Sequence, residues 1–240
     1  MELFYVPDVR LDTERLVLTG PEVRHIVKVL RHRVKDRIFV TDGNGNEVTL
    51  ELTEVGKTRV AGRVVARKRS PREPRHRVGI AQAILKGDKL AQVVEGVTEL
   101  GGYEVIPLCT ERVVGRMSQT KRERLRHVAG ARLESSTRTV LPRIAEPVDI
   151  TGLTGRMGDY EQTLVAYEEV SGPGLTDVLN RRIGSVLVVI GPEGGFEPGE
   201  IDRLKAAGAS CFSLGPRRLR AETAAVVAAA LCLHALGDLG

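Results

Sequence analysis

The chain contains no tryptophan, and only four phenylalanines and four tyrosines among 240 residues. That shortage argues against an extended platform of stacked bases of the kind single-strand binders use. Cysteine is scarce as well. Cys109, Cys211 and Cys232 are odd in number, far apart and set among apolar residues, with no CxxC or Cys/His ligand spacing. They read as buried free thiols in a reducing cytoplasm, which excludes a disulfide framework and a zinc site. Long apolar runs are missing too. The longest in the second half, Ala224–Leu233, falls well short of the about 20 residues that span a bilayer. Met1–Asp8 offers neither a basic segment nor an apolar stretch, so no secretory signal is visible. A cytoplasmic protein with no membrane partner is expected.

What is present is ordinary globular material, 42% hydrophobic and 28% charged. The length suits one large domain or two small ones. The net charge of +5 is unevenly placed. Residues 1–76 hold 16 Lys and Arg against 11 Asp and Glu, and the rest hold 20 against 20. An excess confined to the first third suits a polyanion-binding module, or a plain solvated basic surface.

Texture changes along the chain. Residues 1–70 show short β-like runs, 37–41, 47–53 and 58–66, with the turn cluster Asp42-Gly-Asn-Gly-Asn46 after the first. A helix is expected from Gly20-Pro21, with apolar Val23, Ile26, Val27 and Leu30. A small barrel with one or two short helices fits. Residues 67–77 are basic and contain Pro71 and Pro74, and 71–77 reads as a solvated linker. From 78 to 240 strands and helices alternate. Strands are expected at 78–84, 105–108, 163–167, 185–190 and 210–214, and helices at 89–100, 121–136, 174–182, 198–207 and 221–236. That alternation predicts a parallel α/β sheet covered on both faces.

Two segments bear chemistry. Buried Val186–Ile190 runs into Gly191-Pro-Glu-Gly-Gly195-Phe196 before a helix begins. Ligands of open α/β sheets sit at such carboxyl ends, and glycine lets them approach the backbone. The pattern is neither a Walker loop nor GxGxxG. Phe212-Ser-Leu214 then runs into Gly215-Pro216-Arg217-Arg218-Leu219-Arg220, followed by Ala221-Glu222-Thr223 at a helix start, where backbone N–H groups and arginines suit an anion. A tight structural turn and simple helix capping are the alternatives.

These two segments resemble the RsmE family, SPOUT-class methyltransferases that use S-adenosyl-L-methionine to methylate N3 of a uridine in 16S ribosomal RNA. The likeness extends through His25–Arg31, Asp42-Gly43, Leu85–Lys89, Thr98–Gly101, Pro107–Arg112 and Gly237–Gly240. Two positions depart from the family: Gly96 stands where a lysine is expected, and Ser135 where a glutamine is expected. The resemblance implies an N-terminal PUA-like β-barrel (1–70) and a SPOUT α/β domain with a trefoil knot (78–240). It implies a cofactor site at Leu164, Ile190, Gly191, Glu193, Gly194, Leu214, Gly215, Arg218, Leu219 and Arg220. Arg138 and Arg220 are the expected orienters of uracil or a phosphate, and Glu134 or Glu222 the expected proton acceptor. RNA contact is expected at Arg24, Lys28, Arg31, Arg33, Lys86, Arg112, Arg116 and the 121–126 stretch, with the 30S subunit as partner and a homodimer as the assembly. The small-residue face Ala224, Ala225, Ala228 and Ala229 suits that dimer or a buried core helix. A SPOUT enzyme with another target nucleotide, and a non-catalytic ribosome-assembly protein, remain alternatives.

Overall fold

The computed structural model describes residues 2–113, 117–167 and 172–240. The chain forms two units, Met1–Glu73 with Gly130–Leu141, and Pro74–Ala129 with Pro142–Gly240.

The first unit is built on a five-stranded sheet of β1 (Leu3–Tyr5), β2 (Arg15–Thr19), β3 (Arg37–Thr41), β4 (Asn46–Val55) and β5 (Arg59–Arg69). Their order is β1-β3-β4-β5-β2. β1 joins β3 in parallel, and the other pairs are antiparallel. Alternation selects the core: Leu16, Leu18, Ile38 and Val40 turn inward while Arg15, Val17, Thr19 and Arg37 stay exposed, and the four pack with Phe4, Val48, Leu50 and Val60. β1 and β2 were not expected from sequence, because one has three residues and the other lies in a charged background.

The expected helix after Gly20 begins as α1 (Pro21–Arg24) and continues as a π-helical turn over His25–Val29. The Leu30 N–H reaches back five residues to the His25 carbonyl at 3.0 Å. Val23 and Ile26 are buried, while Arg24 and Lys28 are exposed.

Residues 130–141 join this unit through backbone bonds. The Gly45 N–H donates to the Thr139 carbonyl and the Leu141 N–H to the Gly43 carbonyl, both at 2.8 Å. A continuous division near residues 70–78 does not anticipate this return. The expected solvated linker is also tied down. The side chain of Glu73 is buried and accepts from Arg138 Nε (3.0 Å) and Nη2 (2.7 Å), and from the Thr139 and Val140 N–H groups (2.6 and 3.0 Å).

The second unit contains β6 (Arg77–Ala83), β7 (Glu104–Cys109), β8 (Arg143–Ile144), β9 (Val148–Asp149), β10 (Gln162–Ala166), β11 (Ser185–Ile190) and β12 (Ser210–Phe212). The order is β12-β10-β11-β6-β7-β8, with β9 also on β7, and every pair is parallel. α2 (Lys89–Leu100) and α7 (Ala221–Ala235) pack together, and α7 lies on β6 and β11. α4 (Ile150–Arg156) packs with α6 (Pro198–Ala206). Two elements differ from expectation. The helix expected at 174–182 is a single turn, α5 (Leu175–Val178). The Gln162 amide ends it, donating to the Val178 carbonyl at 2.8 Å and accepting the Asn180 N–H at 2.9 Å. α3 (Gln119–Ser135) is as long as expected, but its residues from Gly130 onward belong to the first unit.

The packing of α2 on α7 accounts for Gly96. A Cβ there would lie 2.6 Å from Val226 Cγ2, so any larger side chain requires Val226 to shift. The alanine face of α7 is covered within the chain itself, with Ala225, Ala228 and Ala229 at 0% exposure. That is the core-helix alternative, and it leaves these alanines no free surface for a dimer. The cysteines divide three ways. Cys232 is buried, with its thiol pushed up to about 12 by burial, Cys211 is half-buried, and Cys109, expected inside, is exposed at the end of β7.

Candidate active site

The site of the second unit lies at the carboxyl ends of β10, β11 and β12. β11 is buried along its whole length, so its side chains give the sheet its core, and the first place the chain can meet a ligand is the turn that follows. That turn, Gly191–Phe196, closes with the Gly195 N–H on the Pro192 carbonyl at 3.0 Å. α6 then starts cleanly. Pro198 occupies its first turn, and Glu200 reaches back to accept the Glu197 N–H at 2.9 Å. At Gly191 a Cβ would stand 3.0 Å from the Phe196 ring, so the glycine lets the backbone approach that ring closely.

Three side chains from elsewhere in the unit hold the turn. Gln82, fully buried near the end of β6, donates from Nε2 to the Gly191 carbonyl at 3.2 Å. Arg112 donates from Nη1 to the Gly194 carbonyl at 2.6 Å and from Nε to Glu197 Oε1 at 2.7 Å. Lys89, the first residue of α2, donates from Nζ to Glu193 Oε1 at 2.8 Å. The Lys89 ammonium is held above the ordinary lysine range chiefly by that hydrogen bond. Burial opposes ionisation of Glu193, but the Lys89 and backbone bonds together leave its carboxyl below the usual range.

The second turn follows β12. Gly215 takes φ +96°, and its N–H donates to Ser213 Oγ at 3.1 Å. Arg217, Arg218 and Arg220 are exposed, and α7 starts at Ala221. Between β11 and β12 lies β10, whose end supplies Ala166 and Tyr167. All three strand ends open on one cavity of about 1170 Å³.

Of the ten residues expected to hold a cofactor, eight line this cavity: Ile190, Gly191, Glu193, Leu214, Gly215, Arg218, Leu219 and Arg220. Gly194 belongs to the same turn but spends its carbonyl on Arg112. Leu164 is a correction. It is wholly buried in mid-strand between Val188 and Ser210, and the residue of β10 that reaches the cavity is Ala166, two positions on. Sequence reading missed Lys89, Phe196, Ala166 and Tyr167. Lys89 and Phe196 flank segments already singled out, whereas Ala166 and Tyr167 carry no local signal beyond ending a strand.

The catalytic candidates part company. Arg220 lines the cavity. Glu222 sits in the first turn of α7, buried and outside the cavity lining, and its Oε2 has no hydrogen-bond partner among the described residues. Arg138 and Glu134 belong to the first unit, and neither lines the cavity. Arg138 is consumed by the buried pair with Glu73, and Glu134 Oε1 accepts the Tyr5 N–H at 2.8 Å. Both therefore have partners within the first unit.

Arg24, Lys28, Arg31, Arg33 and Lys86 are exposed. Arg112 braces the glycine turn, and Arg116 lies outside the described residues. Within 121–126, Arg122 pairs with Glu146 and Arg124 with Asp88. Among the described residues no group of three His, Cys, Asp or Glu side chains is arranged to hold a metal, and no helix is long and apolar enough to cross a membrane.

With this geometry in view, comparisons place the chain among known proteins. Residues 71–233 match the family model of an RNA methyltransferase domain, and residues 18–65 that of an RNA methyltransferase PUA domain. Ribosomal RNA small subunit methyltransferase E of Bacillus subtilis is 36% identical over 221 residues, covering 88% of this chain and 86% of that protein. The chain belongs to the ribosomal RNA small subunit methyltransferase E family.

Solved structures of similar proteins agree across both units. A ribosomal RNA small subunit methyltransferase E from Neisseria gonorrhoeae, bound to S-adenosyl methionine, superposes with a TM-score of 0.91 at 25% identity, covering 100% of both chains. A probable rRNA-methyltransferase from Porphyromonas gingivalis gives 0.86 at 31% identity, covering 98% of each chain. The RsmE resemblance, the PUA-like first part and the SPOUT-class α/β second part are thus borne out.

Proposed function

We propose that the protein transfers the methyl group of S-adenosyl-L-methionine to N3 of a uridine in 16S ribosomal RNA. The observation that carries this reading is the meeting of two glycine-bearing turns and an arginine cluster in one cavity at a parallel sheet's carboxyl edge. The lining fits such a cofactor. Ile190, Phe196, Leu214 and Leu219 offer apolar wall, the turns offer backbone polar groups, and Lys89, Glu193 and Arg218 offer charge. A cavity of about 1170 Å³ exceeds the roughly 300–1,000 Å³ of ordinary ligand pockets, leaving space for a nucleoside beside the cofactor.

The cofactor supplies a methyl group on a positively charged sulfur, already activated for transfer, so no covalent enzyme intermediate is needed. The chain's own task is alignment of N3 with that methyl and control of charge. Arg220 steadies the negative charge that spreads onto the uracil carbonyls as N3 loses its proton, because a guanidinium stays ionised and binds flat, multidentate partners. Glu222, whose Oε2 is a buried acceptor with no partner among the described residues and which stands behind the cavity lining, takes the N3 proton through water. Arg24, Lys28, Arg31, Arg33 and Lys86 neutralise RNA phosphates, giving an affinity that falls with salt.

The reading extends to a homodimer that acts in the cytoplasm on assembled or partly assembled 30S subunits. Sedimentation tests the dimer. Methyl transfer from labelled cofactor to 30S subunits and to naked rRNA, with mass-spectrometric mapping, tests the rest. N3-methyluridine formed preferentially on subunits is the expected product. A methylated ribose or guanine overturns the assignment, and absence of cofactor binding by calorimetry favours an assembly protein.

A further inference from the structure

Of the three side chains that hold the Gly191–Phe196 turn, two work at the surface. The Lys89–Glu193 pair keeps about a third of each side chain in water, and Arg112 is likewise exposed. Exposed pairs of this kind contribute little to holding a backbone in place. Gln82 is different. It is wholly buried in the central strand β6, and its register partners are Ile190 on β11 and Pro107 on β7. Its Nε2 donates to the Ala83 carbonyl at 3.1 Å and to the Gly191 carbonyl at 3.2 Å. Both neighbours are acceptors, so the amide orientation is decided: nitrogen must face them.

The same orientation leaves Gln82 Oε1 buried with no partner among the described residues. A buried polar atom left unpaired is costly, and an apolar side chain would fill this strand position without that cost. Val78 and Ile80, which share Gln82's face of β6, are apolar. A polar side chain that breaks the local rule in mid-core is expected where function needs it.

We infer that Gln82 is a positioning residue for cofactor binding: its buried amide fixes the Gly191 carbonyl, and with it the start of the cofactor-facing turn. The inference rests on the methyltransferase reading and deepens it. Gln82 touches the turn's backbone and does not line the cavity, so it acts on cofactor binding through Gly191.

The test is Q82L, with calorimetric binding of S-adenosylmethionine, thermal melting and methyl transfer to 30S subunits measured on the full chain. Loss of one buried hydrogen bond to the turn predicts a rise in cofactor Kd of roughly three- to tenfold. The rate at saturating cofactor should stay near wild type, because the reacting groups are untouched. Melting should shift little, since leucine also removes the unpaired Oε1. Q82E supplies a second readout. Its carboxylate would repel both carbonyls, whereas its protonated form donates to one, so its cofactor affinity should weaken as pH rises while that of Q82L stays flat. If Q82L does not fold, Q82M replaces it at nearly equal length. A wild-type protein that fails to bind the cofactor removes the methyltransferase reading itself. A wild type that binds, beside folded Q82L or Q82M variants with Kd unchanged within twofold, overturns the role of Gln82 alone.

Discussion

Two glycine-rich turns, one in each unit, serve opposite ends. Asp42–Asn46 closes on itself. Asp42 Oδ1 accepts from the Asn44 and Asn46 N–H groups, the Gly45 N–H goes to Thr139, and a Cβ on Gly45 would meet Ser70 Oγ at 2.6 Å. Gly191–Phe196 is instead braced from behind and leaves its front open on a cavity. The same contrast runs through the arginines: Arg138 is buried on Glu73, while Arg220 is exposed on the cavity rim. Glycine and arginine therefore mark a site only where neighbouring elements leave their polar groups unspent.

The sharpest way to break that contrast is Arg138→Met. It strands the Glu73 carboxylate in a buried position, so stability should fall by about 3 kcal/mol, read by denaturant unfolding. A fully stable R138M protein that has lost methyl transfer would return Arg138 to the catalytic set. Next in size is Arg220→Ala. Its side chain is exposed, so melting should hardly move, but loss of one charged contact to the reacting base should slow transfer roughly ten- to a hundredfold. Unchanged transfer would take Arg220 out of the site.

Gly45→Ala probes the closed turn. At φ +89° and with Ser70 in the way, it should cost roughly 1–2 kcal/mol of stability. Cofactor affinity should be unaffected, and a change there would show that the first unit's turn matters to the cavity. The smallest effect belongs to Glu134→Gln. Burial pushes the Glu134 carboxyl above the usual range, with the Tyr5 N–H pulling the other way. A raised acid favours folding below the ordinary carboxylate range and loses that contribution as pH rises through its folded value. At neutral pH the glutamine, which still accepts from Tyr5, should add a few tenths of a kcal/mol, and the gain should fade below about pH 4. Loss of transfer in a stable E134Q protein would contradict its assignment to the first unit's scaffold.

Much of this was legible along the chain. Continuous apolar runs such as 185–190 appear as buried parallel strands, and alternation in 37–41 and 47–53 as half-buried antiparallel ones, because side-chain periodicity follows directly from backbone geometry. Eight of ten expected cofactor residues line the cavity because they sit in turns that directly continue buried strands. Leu164 failed for the same reason in reverse: it lies inside a strand, where a buried leucine is core. Nothing local to Arg138 and Glu134 shows that they meet Glu73, 65 residues away in sequence, and the Tyr5 N–H, 129 away.

The sequence by itself determined the local periods, the turn chemistry and the two segments whose polar groups lie next to buried strands. Those properties depend on a handful of adjacent residues. Which polar groups are spent on the scaffold and which stay free for a ligand was decided only in three dimensions. A hydrogen bond or ion pair needs its partner within about 3 Å, and here the decisive partners, Glu73 for Arg138 and Gln82 for Gly191, come from distant stretches of chain.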